Sequence, residues 1–100
     1  TEPTKKYLNR AIDLNPFSNL PHFNLGMMDQ KEKNCPSALE HYRRSIILNP
    51  YHSASYNNAA VCALQLGERV KALNYFKKAS ELNSDGGTRR KLKVTKMGKK

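Results

Sequence analysis

Few side chains in this sequence are suited to covalent or metal chemistry. Cys35 and Cys62 are its two thiols, and His22, His41 and His52 its three imidazoles. A nucleophilic thiol needs a base beside it, and neither cysteine has a neighbouring His/Asp arrangement of that kind. Cys35 falls in a turn and Cys62 within a helix, far apart in the chain, so no bridge between them is expected. The histidines lack the i, i+4 spacing of a helical metal site. There is no Gly-rich phosphate loop and no paired-carboxylate signature. The sequence therefore predicts no enzyme, no cofactor and no metal. His22 reads as a core ring, and His41 and His52 as surface or ligand-facing.

Charge is the stronger chemical feature. The 100 residues carry 18 Lys+Arg against 8 Asp+Glu, a net charge of +10. Residues 1–87 hold 11 basic and 8 acidic side chains (net +3), while 88–100 hold seven basic and no acidic ones (net +7). That run includes Arg89, Arg90, Lys91, Lys93 and Lys96. It would attract phosphate backbone, acidic protein or anionic lipid, and it also reads as a nuclear localisation signal. With no aromatic to stack on bases, binding to nucleic acid through it would be salt-sensitive and blind to sequence. Asp85-Gly86-Gly87 just before it reads as a helix breaker, giving a folded body over 1–87 and a basic tail over 88–100. The competing reading of the tail is a solvated extension that starts a further helix.

The elements that must position these groups form a repeat of period 34. Asn15-Pro16 recurs as Asn49-Pro50, and Asn83-Ser84 is the same step without its proline. Leu14, Leu48 and Leu82 share the spacing, as do Ala11, Ser45 and Ala79. Superposing Phe17–Pro50 on Tyr51–Ser84 gives five identities: Asn24/Asn58, Ala38/Ala72, Leu39/Leu73, Leu48/Leu82 and Asn49/Asn83. Shared size and polarity at fixed offsets carry the rest, and a period of this length marks a stacked array. Each unit reads as two helices. The first unit has Leu20–Glu32, capped by Ser18 or Asn19 with Pro21 in its first turn, then Pro36–Leu48, stopped by Pro50. The second has Ala54–Leu66, capped by His52 or Ser53 and ended by Gly67 in a left-handed turn, then Arg69–Leu82. Pro3–Leu14 precedes them as a lone second helix. The domain is thus a half repeat (1–18) and two repeats (19–52 and 53–86). So thin an array is expected to need flanking repeats or a partner on an open end.

These units resemble the tetratricopeptide repeat family. In the first, Leu25-Gly26, Ala38, Tyr42, Ser45 and Pro50 match that motif, with His22 and Asp29 in place of its two first-helix aromatics. In the second, Tyr56, Ala60, Ala72, Phe76 and Ala79 match, while Ala59, Ala63 and Ser84 depart from it. The resemblance spans roughly residues 1–86. It implies an all-α, right-handed solenoid of antiparallel helix pairs that acts as a protein-interaction scaffold within a larger complex.

The resemblance also implies a concave face lined by the first helices, which would hold an extended peptide or a partner helix. Its candidate residues are Leu20, Phe23, Asn24, Met27, Asn57, Asn58, Val61 and Gln65, flanked by Gln30, Lys31, Ala54 and Leu64. An Asn amide both donates and accepts, so it can pair with both sides of a peptide unit. Asn24 and Asn58, 34 apart, would be successive rungs, with Leu20, Phe23 and Met27 as apolar anchors. Some family members clamp a terminal carboxylate with Lys, Asn and Arg. Here Leu20 and Ala54, Phe23 and Met27, or Asn57 and Val61 stand at those places, so that ligand is not expected. No apolar run is long enough to span a membrane, and Thr1–Arg10 does not read as a secretory start. The expected setting is cytoplasmic or nuclear.

Overall fold

Pro21 and Pro36 each sit in the first turn of a helix, where the missing N–H removes no hydrogen bond. The computed structural model describes residues 2–88 and holds five helices there, with no strand among the described residues. They are α1 (Glu2–Leu14), α2 (Leu20–Lys31), α3 (Cys35–Leu48), α4 (Ser53–Gln65) and α5 (Arg69–Thr88). Each packs on the next along the chain, and α2 also touches α4. This is the all-α solenoid of helix pairs that the sequence implies.

The period of 34 is written into the backbone. Lys33 N–H donates to the Gln30 carbonyl at 3.0 Å, and Gly67 N–H to that of Leu64 at 3.0 Å. Asn34 N–H donates to the Asp29 carbonyl at 2.8 Å, and Glu68 N–H to that of Ala63 at 2.9 Å. Both first helices thus end in the same doubled turn, which satisfies carbonyls a helix end otherwise leaves orphaned. Between units, Phe17 and Tyr51 N–H donate to Asn15 and Asn49 Oδ1 at 3.2 and 3.1 Å. An Asn side chain folding onto the backbone two residues on makes a turn without the help of glycine.

The core lies where α2, α3 and α4 meet. Ala38, Tyr42, Ala59 and Cys62 are fully buried, with Cys35 and Leu39 nearly so, and Phe23, Ile46 and Tyr75 close over them. Small residues bring the backbones together: Ala59, Ala60 and Ala63 of α4 are all 0% exposed, and Ala72 and Ala79 of α5 nearly so.

Two details depart from the sequence expectations. The last helix does not stop at Leu82 or at the glycines; α5 runs through Gly86 and Gly87 to Thr88. Each glycine costs a helix about 1 kcal/mol, yet it keeps its N–H. Ser84, standing where Pro50 ends the earlier unit, likewise keeps the backbone N–H that a proline lacks. Asn19 occupies the cap position of α2 but its side chain makes no capping bond, and its amide Nδ2 donates to Ser45 Oγ at 2.9 Å. That bond continues through Ser45 Oγ–Ser55 Oγ (2.7 Å) to His52 Nδ1 (2.7 Å from Ser55 Oγ), so a buried polar chain joins α2, α3 and α4. Arg89, Arg90, Lys91, Lys93 and Lys96 lie outside the described residues.

Candidate functional site

The first helices α2 and α4 lie side by side, and α1 rises against one edge of α2. Between them is a depression of about 590 Å³ lined by Thr4, Leu8, Asn24, Met27, Met28, Gln30, Lys31 and Asn58. Asn24 and Asn58, alike in the repeat, both reach this space, with Met27 as an apolar neighbour. Gln30 and Lys31 join them. Thr4, Leu8 and Met28 were not foreseen, although for Leu8 and Thr4 the sequence held the signal: they lie one period before Tyr42 and Ala38, the inward face of the next second helix.

The other candidate residues lie elsewhere. Phe23 is half-buried and turns to the core, its ring 5.8 Å from Tyr42 and edge-on to His52 at 4.8 Å. It packs against the core and does not line the depression. Leu20 is exposed beside the start of α2. Asn57 is exposed and Val61 half-buried on α4, and neither lines the depression. Gln65 is exposed at the end of α4 with its amide oxygen 3.1 Å from Cys35 Sγ.

The wall behind the two asparagines is held by Tyr42. Its hydroxyl donates to Gln30 Oε1 at 2.6 Å. Burial pushes this phenol well above its ordinary value, the neighbouring Cys62 adds to the rise, and the nearby Asn58 amide opposes it. The face is nearly free of charge: α4 contains no Asp, Glu, Lys or Arg, and among the lining residues only Lys31 is ionic.

At the edge of the groove, Asp29 occupies the slot where the motif places an aromatic. It is 6% exposed. Ser37 donates to its Oδ2 at 2.6 Å, Lys5 Nζ stands 3.4 Å from Oδ1, and His41 Nε2 is 3.8 Å from Oδ2. A buried carboxylate is tolerated only with such partners, and these tie α1, α2 and α3 together. His22 is buried, as its place in the motif requires, and His41 is half-buried. The two rings lie 5.9 Å apart, and both Nδ1 atoms are buried without a partner. Burial lowers the basicity of each imidazole. For His22, His41 and Arg44 add to this; for His41, Asp29 opposes it. No group of three or more His, Cys, Asp or Glu among the described residues is arranged to hold a metal.

No known-family profile matches the chain. It is 28% identical over 82 residues to the tetratricopeptide repeat-containing protein trd-1 of Caenorhabditis elegans, covering 82% of this chain and 11% of that protein. Its fold superposes on a crystal structure of MamA with a TM-score of 0.79 and 28% identity, over 83% of this chain and 48% of that one. A second MamA structure gives 0.73 at 28% identity, over 83% and 45%. The chain therefore spans about a tenth of the curated relative and about half of the solved ones. Repeated turns, small-residue seams and these likenesses agree: the chain is an array of tetratricopeptide-like repeats.

Proposed function

We propose that this chain is a protein-interaction scaffold whose groove between α1, α2 and α4 receives an extended peptide or a helix from a partner. The observation that carries this reading is that Asn24 and Asn58, one repeat apart, line the same depression. Two amides at that spacing can pair with backbone along a bound segment, while Leu8, Met27 and Met28 offer adaptable apolar contact. A groove so poor in charge suits a partner recognised by shape and backbone rather than by ion pairing. Among the described residues, no helix is long and apolar enough to cross a membrane.

The rival reading gives the binding to the basic run at 88–100, with the helices as its carrier, and its partner would be a polyanion or nucleic acid. Its support is the charge of the sequence. Salt separates the two, because polyanion affinity falls steeply with ionic strength through counterion release. The test is capture of partners by the intact chain and by a chain lacking 88–100, each at two salt concentrations. Groove binding predicts capture that survives both the deletion and the salt. Loss under both would assign the binding to the run.

A further inference from the structure

The two cysteines, which the sequence reading kept apart, meet in the core. Cys35 opens α3 and Cys62 lies on α4, so they come from successive units. They are 5% and 0% exposed, and their Sγ atoms are 2.7 Å apart. Both are free thiols, and the chain has no other cysteine to compete for either. A disulfide bond is ~2.05 Å long, so joining them asks the sulfurs to close by only roughly 0.7 Å. The surroundings, Ala38, Leu39, Tyr42 and Ala59, offer no other oxidisable sulfur. Gln65, at the far end of α4, has its amide oxygen 3.1 Å from Cys35 Sγ.

We propose that Cys35 and Cys62 are a reversible dithiol–disulfide site that staples the two repeats together, with a peroxide as the oxidant. Cys35, the more exposed of the two, attacks the peroxide. Its sulfur bonds to one oxygen, the O–O bond breaks, and the second oxygen leaves as water with the thiol proton. Cys62 then attacks the oxidised sulfur of Cys35. The S–S bond forms, the S–O bond breaks, and the hydroxyl leaves as water with the Cys62 proton. Two thiols and one peroxide yield one disulfide and two waters; each sulfur gives up one electron and the peroxide takes two. A dithiol reductant reverses the change by exchange.

The consequence is mechanical. α4 carries Asn58 and packs on α3, so a covalent tie between these helices fixes one wall of the groove. Burial pushes the Cys62 thiol up to about 12, with Cys35 adding to the rise, so it holds its proton at neutral pH. Closing a loop between positions 27 apart restricts the unfolded chain, and the loop-entropy relation puts the gain at several hundredfold in the folding equilibrium.

The test treats the chain with hydrogen peroxide, alkylates it after unfolding, and reads its mass and peptide map. The proposal expects a monomer with no alkylatable thiol, its Cys35 and Cys62 peptides joined with the loss of two hydrogens (about 2 Da), apart from any oxygen gained on methionine peptides. Dithiothreitol should restore both thiols, and the oxidised form should unfold at higher denaturant. Cys35→Ala, changed at the helix start rather than at the fully buried position, should still fold by circular dichroism and form no such cross-link. Thiols that stay alkylatable, oxygen added to the Cys35 or Cys62 peptide in place of the cross-link, or disulfide-linked dimers alone would each overturn the proposal.

Discussion

Lys33 holds the left-handed turn that Gly67 holds one unit later, with φ of 64° and 83°. The two sit 34 residues apart and close the same pair of backbone hydrogen bonds. Glycine adopts this conformation freely, whereas a side chain there costs roughly 1–2 kcal/mol. Lys33→Gly should therefore stabilise the chain by up to about 1 kcal/mol, and Gly67→Ala should destabilise it by a similar amount. Urea unfolding midpoints compared at constant m-value would check both.

Gly26 faces the ring of Tyr42 closely enough that an added methyl would stand 2.5 Å from Cε1 and 2.7 Å from Cδ1. Tyr42 is fully buried and hydrogen-bonded to Gln30, so its ring has little room to retreat. Gly26→Ala gains helix propensity of about 1 kcal/mol but overpacks the seam at ~1–3 kcal/mol. The expected net is destabilisation, measured as a lower thermal midpoint, together with altered near-ultraviolet dichroism from Tyr42.

Equal residues in the repeat do unequal work at its end. Leu39 is 8% exposed because α4 covers it; Leu73, one period on, is 70% exposed on α5. Truncating Leu39 to Ala should cost about 2–5 kcal/mol. Truncating Leu73 should change stability by no more than about 0.5 kcal/mol. Equal losses at the two sites would mean that α5 has a covering absent from the described helices.

Acid should loosen the α2–α3 seam. His22 and His41 both have folded-state values depressed below the ordinary 6.5, chiefly by burial. The unfolded chain then binds more protons than the folded one as pH falls below about 6.5. Stability should be full above that pH and decline as pH falls from it through the folded values. Facing the pair are Arg44 and Lys5, which oppose protonation, and Asp29 and Glu40, which favour it at His41. His41→Gln should flatten the decline in denaturant midpoint between pH 7 and 5.

The helix pairs, their order and their period were legible because proline, asparagine and small residues recur at one spacing, and each has a local mechanism. The asparagine pair was found through the same spacing. What escaped depends on contacts across helices. The sequence gives no sign that Asn19 prefers Ser45 to its own helix end, or that Asp29 draws Ser37, Lys5 and His41 into an aromatic slot. The cysteines looked distant because separation along the chain was weighed, whereas successive units stack α3 directly on α4. Gly86 and Gly87 misled because glycine weakens a helix without removing any of its hydrogen bonds.

The most direct measurement takes a peptide or helical ligand selected from a display library on the intact chain, and titrates it against the wild type and against Asn24→Ala/Asn58→Ala. With the helical dichroism of the double variant unchanged, the account predicts affinity at least tenfold weaker, an effect of about 1.4 kcal/mol or more, and little change when salt is raised. Equal affinity in the folded double variant, or binding abolished by salt alone, would contradict it.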